Sequence, residues 1–561
     1  MTEDSPSSSS QIDSEVNVKG EKPYFAAPVT EDSNAVLDEL PVECPPHTTE
    51  AALVRKIDFR VIPILCILYL LAFLDRVNIA NARSFGLVEE LKLGGVEFNT
   101  CLTIFFVPYI LFEIPANILL KRLKPHVWLS ACMFFFGLIS ICQGLVHNYG
   151  GLITTRFFLG AAEAGMFPGS FFLISTWYKR TEAQRRYSFF FSSTSLAGAF
   201  GGLLASAIGK MDHMRGFRGW RWLFILEGVL TCVVALLFYF LIPSFPEDAA
   251  WLSKSERAYV IARLHADQGR SAAERKITLK DVGRVLADYK VWLGGLMYFG
   301  LIVPAYGYAY FAPSIIGGLG YSPIKTQLRS VPPWACAFAF SMIIAWLSDR
   351  TGHRLAFCVA PICVAIAGFA ILLNVHHDVN TEYAALFLIA MGCYSAMPVI
   401  VCWFNMNLGG HHRRAVGTAW QVSFGNIGGI IATFSFLATD APTFYRKGYA
   451  ICVGFICLSG AACFAYAVAV VYENRKRERM AGQSQLTEDE KAELGVCWPL
   501  FSLMLSRAVS LLLLDLCDLR DDANPPTGPQ PGLPLPPLSG IVPPCSCYAL
   551  RQTSNIVISQ N

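Results

Sequence analysis

Apolar positions in this 561-residue chain gather into long blocks separated by short polar breaks. Blocks of twenty residues or more cover roughly 59–82, 100–120, 127–146, 152–177, 187–209 and 220–242. A polar interval over about 243–290 follows, and six further blocks cover roughly 291–316, 328–347, 355–375, 383–406, 416–438 and 449–471. About 20 apolar residues is the length at which an α-helix crosses the hydrocarbon core of a bilayer. The pattern predicts an all-α polytopic membrane protein with 12 transmembrane helices in two six-helix bundles. The expected organisation is a disordered N-terminal tail over 1–54, a first bundle over 55–243 and a middle loop over 244–290. A second bundle over 291–475 and a tail over 476–561 complete it.

The polar breaks carry an orientation signal. Breaks after even-numbered spans are basic, as in Lys121-Arg122-Leu123-Lys124, Tyr178-Lys179-Arg180, Asp349-Arg350, His412-Arg413-Arg414 and Asn474-Arg475-Lys476-Arg477. The alternate breaks carry few bases, with Arg215, Arg218 and Arg221 as the exception. By the positive-inside rule both termini and the middle loop are expected in the cytoplasm, with the plasma membrane as the site. The Ser-rich, acidic start lacks a basic segment followed by an apolar core, so it reads as a tail and not a signal peptide. In the middle loop, Ser253 followed by Glu256 at the third helical position reads as a capped helix running to about His265 along the inner face.

Composition agrees with the block pattern. Hydrophobic residues make up 54% and charged residues 16%, against about 25% charged in soluble proteins. The mean hydropathy is +0.43. A net charge of +3 gives no reason to expect a nucleic-acid partner. The lipid bilayer is the expected partner, and the chain is expected to work as a monomer. Of the 18 cysteines, most sit in apolar blocks as small hydrophobes, and no zinc-spaced pairs occur. No metal, cofactor or enzymatic constellation is expected.

Two motifs narrow the class. Between spans eight and nine stands Asp349-Arg350-Thr351-Gly352-His353-Arg354, close to the G-x-x-x-D-[RK]-x-G-[RK] loop of the major facilitator superfamily. Glycine suits so short a turn, and the acid–base pair suits a latch between helix ends. The corresponding loop after span two keeps its bases but lacks the acid and glycine. Span four reads Arg156-Phe-Phe-Leu-Gly160-Ala-Ala-Glu163-Ala-Gly165-Met-Phe-Pro168-Gly169, with Leu74-Asp75-Arg76-Val77-Asn78 in span one and Gly219-Trp220-Arg221 to Glu227-Gly228 in span six. This set, spread over residues 53–494, resembles the anion:cation symporter family. The nearest group is the fungal allantoate permeases, whose members carry allantoate, nicotinate, pantothenate and biotin. The resemblance implies a major facilitator fold and alternating access. It also implies that the Asp-Arg of span one and the Arg and Glu of span four serve anion binding and proton coupling.

The residues support that independently. Ionisable groups within a span are costly and normally face a cavity or a partner. Here they are Asp75, Arg76, Glu113, Arg156, Glu163 and Glu227, all in the first half. Arg156 and Glu163 lie seven residues apart, hence on one helix face about 10 Å apart along the axis. An arginine fork suits a carboxylate, and a half-buried carboxylate suits proton exchange. Glu163 and Asp75 are therefore the expected proton-coupling acids. Arg156, Arg76 and Asn78 are the expected substrate contacts, with Tyr308 and Asn405 added from the second half. Asp349, Arg350, Gly352 and Arg354 are the expected gating loop. Glu113 is expected to bond its own helix near Pro115, and Glu227 to pair with Arg221 or a neighbouring helix. Pro304 and Pro313 predict a broken span seven with a tyrosine cluster. Gly198, Gly201 and Gly202 predict close packing in span five.

The function expected is proton-coupled symport of a small organic anion. An efflux antiporter of the same fold and a non-transporting nutrient sensor remain as alternatives. Beyond Gly495 the chain departs from the family. Val496–Leu514 is apolar but broken by Arg507 and serines, and a proline-rich segment follows. This stretch reads as foreign coding rather than a thirteenth span.

Overall fold

Inside a bilayer each backbone N–H and C=O must be paired within its own segment, so apolar blocks of spanning length become helices. A computed structural model describes residues 44–481, apart from 121–122, 269–278, 377, 409–410, 438 and 441–443. The tail up to residue 43, Lys121 and Arg122, and everything beyond 481 lie outside the described residues. The expectations for the Val496–Leu514 stretch therefore lie outside them too.

The first six spans are Glu50–Ser84, Glu97–Leu120, Pro125–Gly144, Tyr149–Glu163 continued by Met166–Trp177, Arg180–Ile208 and Gly219–Leu241. The second six are Tyr289–Gly318, Pro323–Thr351, Arg354–Asn374, Val379–Asn407, His411–Ser435 and Arg446–Ala481. Ten of these are long and apolar enough on their described residues to cross a membrane. The other two, Glu97–Leu120 and His411–Ser435, take the second and eleventh places and have 24 and 25 residues. Span one starts at Glu50 because the Thr49 hydroxyl accepts from the Ala52 N–H, which pulls the helix into the expected tail. Asn148 and Asp378 cap spans four and ten in the same way.

Two expectations about helix continuity are corrected. Span seven is unbroken from Tyr289 to Gly318, with Pro304 and Pro313 inside it. Packed neighbours tolerate the missing N–H groups there. Span four is the interrupted one: its first helix ends at Glu163 and a second begins at Met166. Pro168, with no N–H to donate, stands in the first turn of the second piece.

The packing repeats with an offset of six. Span one packs on five and six, two on four, and three on four and six. Span seven likewise packs on eleven and twelve, eight on ten, and nine on ten and twelve. Two similar halves result, in the manner of transporters built from parallel repeats. Across the seam, span five packs on eight, two on eleven and one on seven. The close packing expected of span five is present, since a Cβ on Gly198 would fall 2.4 Å from the Trp334 ring of span eight.

The ends of the even-numbered spans carry the basic breaks, and this end is called the basic face below. The middle-loop helix Lys254–Gln268 lies there, longer than expected. It starts on a capping box, with Ser253 Oγ accepting from the Glu256 N–H (3.2 Å) and Glu256 Oε2 from the Ser253 N–H (2.9 Å). Lys56 pairs with Glu256 (2.9 Å) and Arg263 with Glu182 (3.0 Å), which ties the loop helix to spans one and five. In the loop after span eight, Gly352 caps the helix at φ +72°, a left-handed conformation that suits glycine. Arg354 pairs with Asp349 (2.8 Å) and donates to Ser348 (2.7 Å), joining the end of span eight to the start of span nine. Arg350 instead lies over the Trp346 ring, one turn back on its own helix.

Gly160 sets the closest approach of spans two and four: a Cβ there would lie 2.1 Å from the Phe105 carbonyl oxygen. Backbone cannot yield as a flexible side chain does. Gly160→Ala is expected to cost about 1–3 kcal/mol, typical of an overpacked core. Thermal unfolding of the purified protein should show a clear fall in the midpoint. An unchanged midpoint would mean that spans two and four are not in this contact.

Candidate functional site

The six ionisable residues expected within the spans are all present in the interior. Asp75, Arg76, Glu113, Arg156, Glu163 and Glu227 are each at most 2% exposed. They do not pair as neighbours in sequence suggest. Asp75 and Arg76 are about 100° apart around their helix, so they serve different faces.

Arg76 faces the seam. Its Nε donates to Glu163 Oε2 (3.2 Å) and its Nη2 to Glu163 Oε1, a two-pronged bond between spans one and four. Its Nη1 donates to the Tyr306 hydroxyl of span seven. The guanidinium also lies 5.2 Å from the Phe105 ring and 5.1 Å from the Tyr109 ring of span two. A cation desolvated against ring faces gains from their negative quadrupole. Three spans of the first half and one of the second thus meet on one side chain.

Asp75 and Asn78 face inward, towards span six. Thr231 Oγ1 donates to Asp75 Oδ2 (3.0 Å), and Asn78 Nδ2 donates to Glu227 Oε2 (2.7 Å). Residues three or four apart share a helix face, which makes these two bonds successive rungs between spans one and six. Asn78 is thereby committed to Glu227 and Asn81 within the first half rather than to a substrate cavity. Glu227 meets Asn78, while Arg221 pairs with Glu90 (2.9 Å).

Arg156 does not touch Glu163 by a hydrogen bond. Its Nη1 donates to the Arg76 carbonyl (3.2 Å). Its Nε and Nη2 are buried and have no hydrogen-bond acceptor among the described residues. Arginine normally saturates its five donors when buried. Asp75, Glu163 and Tyr310 lie within electrostatic reach of it.

At the seam beside Arg76, a narrow cavity is lined by Tyr69 and Phe73 of span one, Phe191 of span five, Tyr298 and Tyr306 of span seven and Tyr394 of span ten. Tyr306 is the second-half residue that reaches the charged centre. Tyr308, two positions on, packs against Trp334 and Tyr394, its buried hydroxyl without a hydrogen-bond partner among the described residues. The sequence singled out Tyr308 from the tyrosine cluster, whereas the member that bonds Arg76 is Tyr306. Asn405 is also remote: it donates to Val401 (2.9 Å), accepts from Thr418 and sits near the basic end of span ten. Tyr69, Phe105 and Tyr109 carried no sequence signal that set them apart from other apolar-block aromatics.

Residues 65–433 match the Major Facilitator Superfamily. The chain is 35% identical over 447 residues to the MFS transporter prlL of a fungal species (strain NRRL 50135), covering 78% of this chain and 90% of that protein. It is 33% identical over 441 residues to the major facilitator-type transporter hxnP of Emericella nidulans, covering 77% and 88%. To the MFS-type transporter cnsO of Penicillium expansum it is 31% identical over 470 residues, covering 81% and 90%. In fold it is similar to a bacterial homologue of the human lysosomal transporter Spinster, solved inward-facing and unoccupied. The TM-score there is 0.56 at 15% identity, covering 73% of this chain and 96% of the other. The chain is a polytopic membrane transporter and belongs to the Major Facilitator Superfamily.

Proposed function

We infer that this transporter carries a small organic anion together with protons, as a symporter of the anion:cation symporter family close to the fungal allantoate permeases. The observation that carries the reading is the pair of buried guanidinium groups. Arg156 offers two nitrogens, Nε and Nη2, without an acceptor among the described residues, and Arg76 is held by a carboxylate that a substrate carboxylate can replace. Arg76 donates to Tyr306, which lines a cavity shared by the two halves, and Arg156 donates to the Arg76 carbonyl behind it. Arginine forks fit carboxylates in a planar, two-pronged geometry.

The same geometry couples the proton. A substrate carboxylate engaging Arg76 and Arg156 leaves Glu163 without its counter-charge. A carboxylate buried without a cation takes up a proton rather than remain ionised. Substrate and proton then stabilise each other, as reciprocal linkage requires. Tyr306 reports the event to the second half, since its hydroxyl accepts from Arg76 across the seam. The loaded site is closer to neutral and crosses between states at lower electrostatic cost. Asp75, bonded to Thr231, lies behind this centre as the second candidate acid. Orientation follows the basic breaks, with the basic face, the loop helix and both termini in the cytoplasm, and the plasma membrane is the proposed location.

Three measurements test the reading. In proteoliposomes with a panel of labelled carboxylates and ureides, Glu163→Gln is expected to keep substrate exchange and to abolish accumulation driven by an acid exterior. Accumulation by that variant against its gradient would move the coupling acid to Asp75. Faster loss of preloaded compound by the wild type would favour efflux instead. Arg156→Ala removes a charge-assisted bond of about 1.5–3 kcal/mol, so substrate affinity should fall roughly 10- to 150-fold. Unchanged affinity would exclude Arg156 from the anion site. An epitope inserted in the loop at 269–278 should be reached by antibody only after the cell membrane is permeabilised. Labelling of intact cells there would reverse the orientation.

A further inference from the structure

Glu113 of span two is a buried carboxylate that the symport scheme leaves unused. It does not bond its own helix as expected. Its Oε2 accepts from Ser423 Oγ of span eleven at 2.8 Å, across the seam between the halves. Its Oε1 is buried with no hydrogen-bond partner among the described residues, and the residue is 0% exposed. The titratable and charged groups facing it are Arg76 of span one, Tyr109 of its own helix and Tyr298 of span seven. Arg76 is committed elsewhere, to Glu163 and Tyr306. Span eleven contributes the Ser423 hydroxyl.

Position gives this carboxylate a role. It lies one turn beyond Tyr109 and seven residues before Leu120, about 10 Å short of the basic end of span two. It therefore stands between the Arg76 centre and the basic face. On the other side of that centre, the hydrogen bonds between the same two spans among the described residues join neutral groups. Asn99 Nδ2 donates to the Thr433 and Phe436 carbonyls (2.5 and 3.1 Å), and Thr103 and Thr433 share a hydroxyl bond (2.6 Å). One end of the seam opens and closes on neutral groups, and the other must bury or release a carboxyl each time. Glu227 differs, because its partner Asn78 belongs to the same half and stays with it.

We propose that Glu113 is a proton-binding site separate from Glu163, and that the halves seal at the basic face only when it is protonated. Sealing an ionised carboxylate against one hydroxyl would strand a charge in the bilayer interior. Protonated, it keeps the Ser423 bond and carries no charge. When the halves part at that face, water solvates the carboxyl and the proton leaves to the same side. The gate thus responds to the pH of the compartment at the basic face, whatever the substrate.

Hydrogen–deuterium exchange of the full chain in lipid nanodiscs tests this without a substrate. Peptides from spans two and eleven near Glu113 and Ser423 are followed between about pH 5.5 and 8.5, corrected for the intrinsic exchange rate. The wild type should lose protection there about tenfold or more as pH rises. Glu113→Gln, neutral at every pH and still an acceptor, should stay protected within about twofold. Ser423→Ala keeps the carboxyl, so it should show weaker protection but the same pH response. A flat wild-type profile, a pH response surviving in Glu113→Gln, or identical behaviour of the two variants would each overturn the proposal.

Discussion

The architecture depends on how a guanidinium is held in the middle of a membrane. Arg76 has no water to solvate it, so the protein must supply an equal and well-oriented set of partners. It does so from four spans: a carboxylate from span four, ring faces from span two, a tyrosine hydroxyl from span seven and the helix of span one beneath it. The break in span four follows directly after Glu163, and the tight approach at Gly160 brings Phe105 close to the charge. Local geometry that looks incidental along the chain serves this one site.

A second constraint is charge balance. The central cluster of the first half holds two cations, Arg76 and Arg156, against four acids, Asp75, Glu113, Glu163 and Glu227, while the buried Arg221 is paired separately with Glu90. With every group ionised the centre would carry two excess negative charges, and a bound anion would add a third. In the proposed scheme protons offset that excess, which ties anion binding to proton binding. The acids are also spread by role. Asp75 and Glu227 fasten spans one and six through Thr231 and Asn78, inside one rigid half. Glu163 faces the cavity side through Arg76. Glu113 lies in the seam itself.

The twelve spans, their 6+6 grouping and the loop motif could be read from block lengths and spacing, because hydrocarbon thickness and tight turns leave few alternatives. The six buried ionisable residues were legible for the same reason: charge inside an apolar block stands out. Their pairing was not. Asp75 and Arg76 are adjacent in sequence, yet helical rotation sends them to different faces and different partners. Choosing Tyr306 over Tyr308 requires the rotation of span seven about its axis, which packing against spans one, eleven and twelve decides. Glu113 and Ser423 are 310 residues apart, and only the meeting of the halves joins them. The prolines of span seven misled because a packed membrane helix absorbs a missing hydrogen bond.

The central claim is that an anion binding at Arg76 frees Glu163 to take up a proton, so that each ligand favours the other. It is tested most directly by counting protons as anion binds. The carboxylate from the transport panel that most raises the unfolding midpoint is titrated by calorimetry into the purified protein in buffers of different ionisation enthalpy. The account predicts net uptake of about one proton per anion bound near neutral pH. Binding with no proton uptake, or with release, would contradict it.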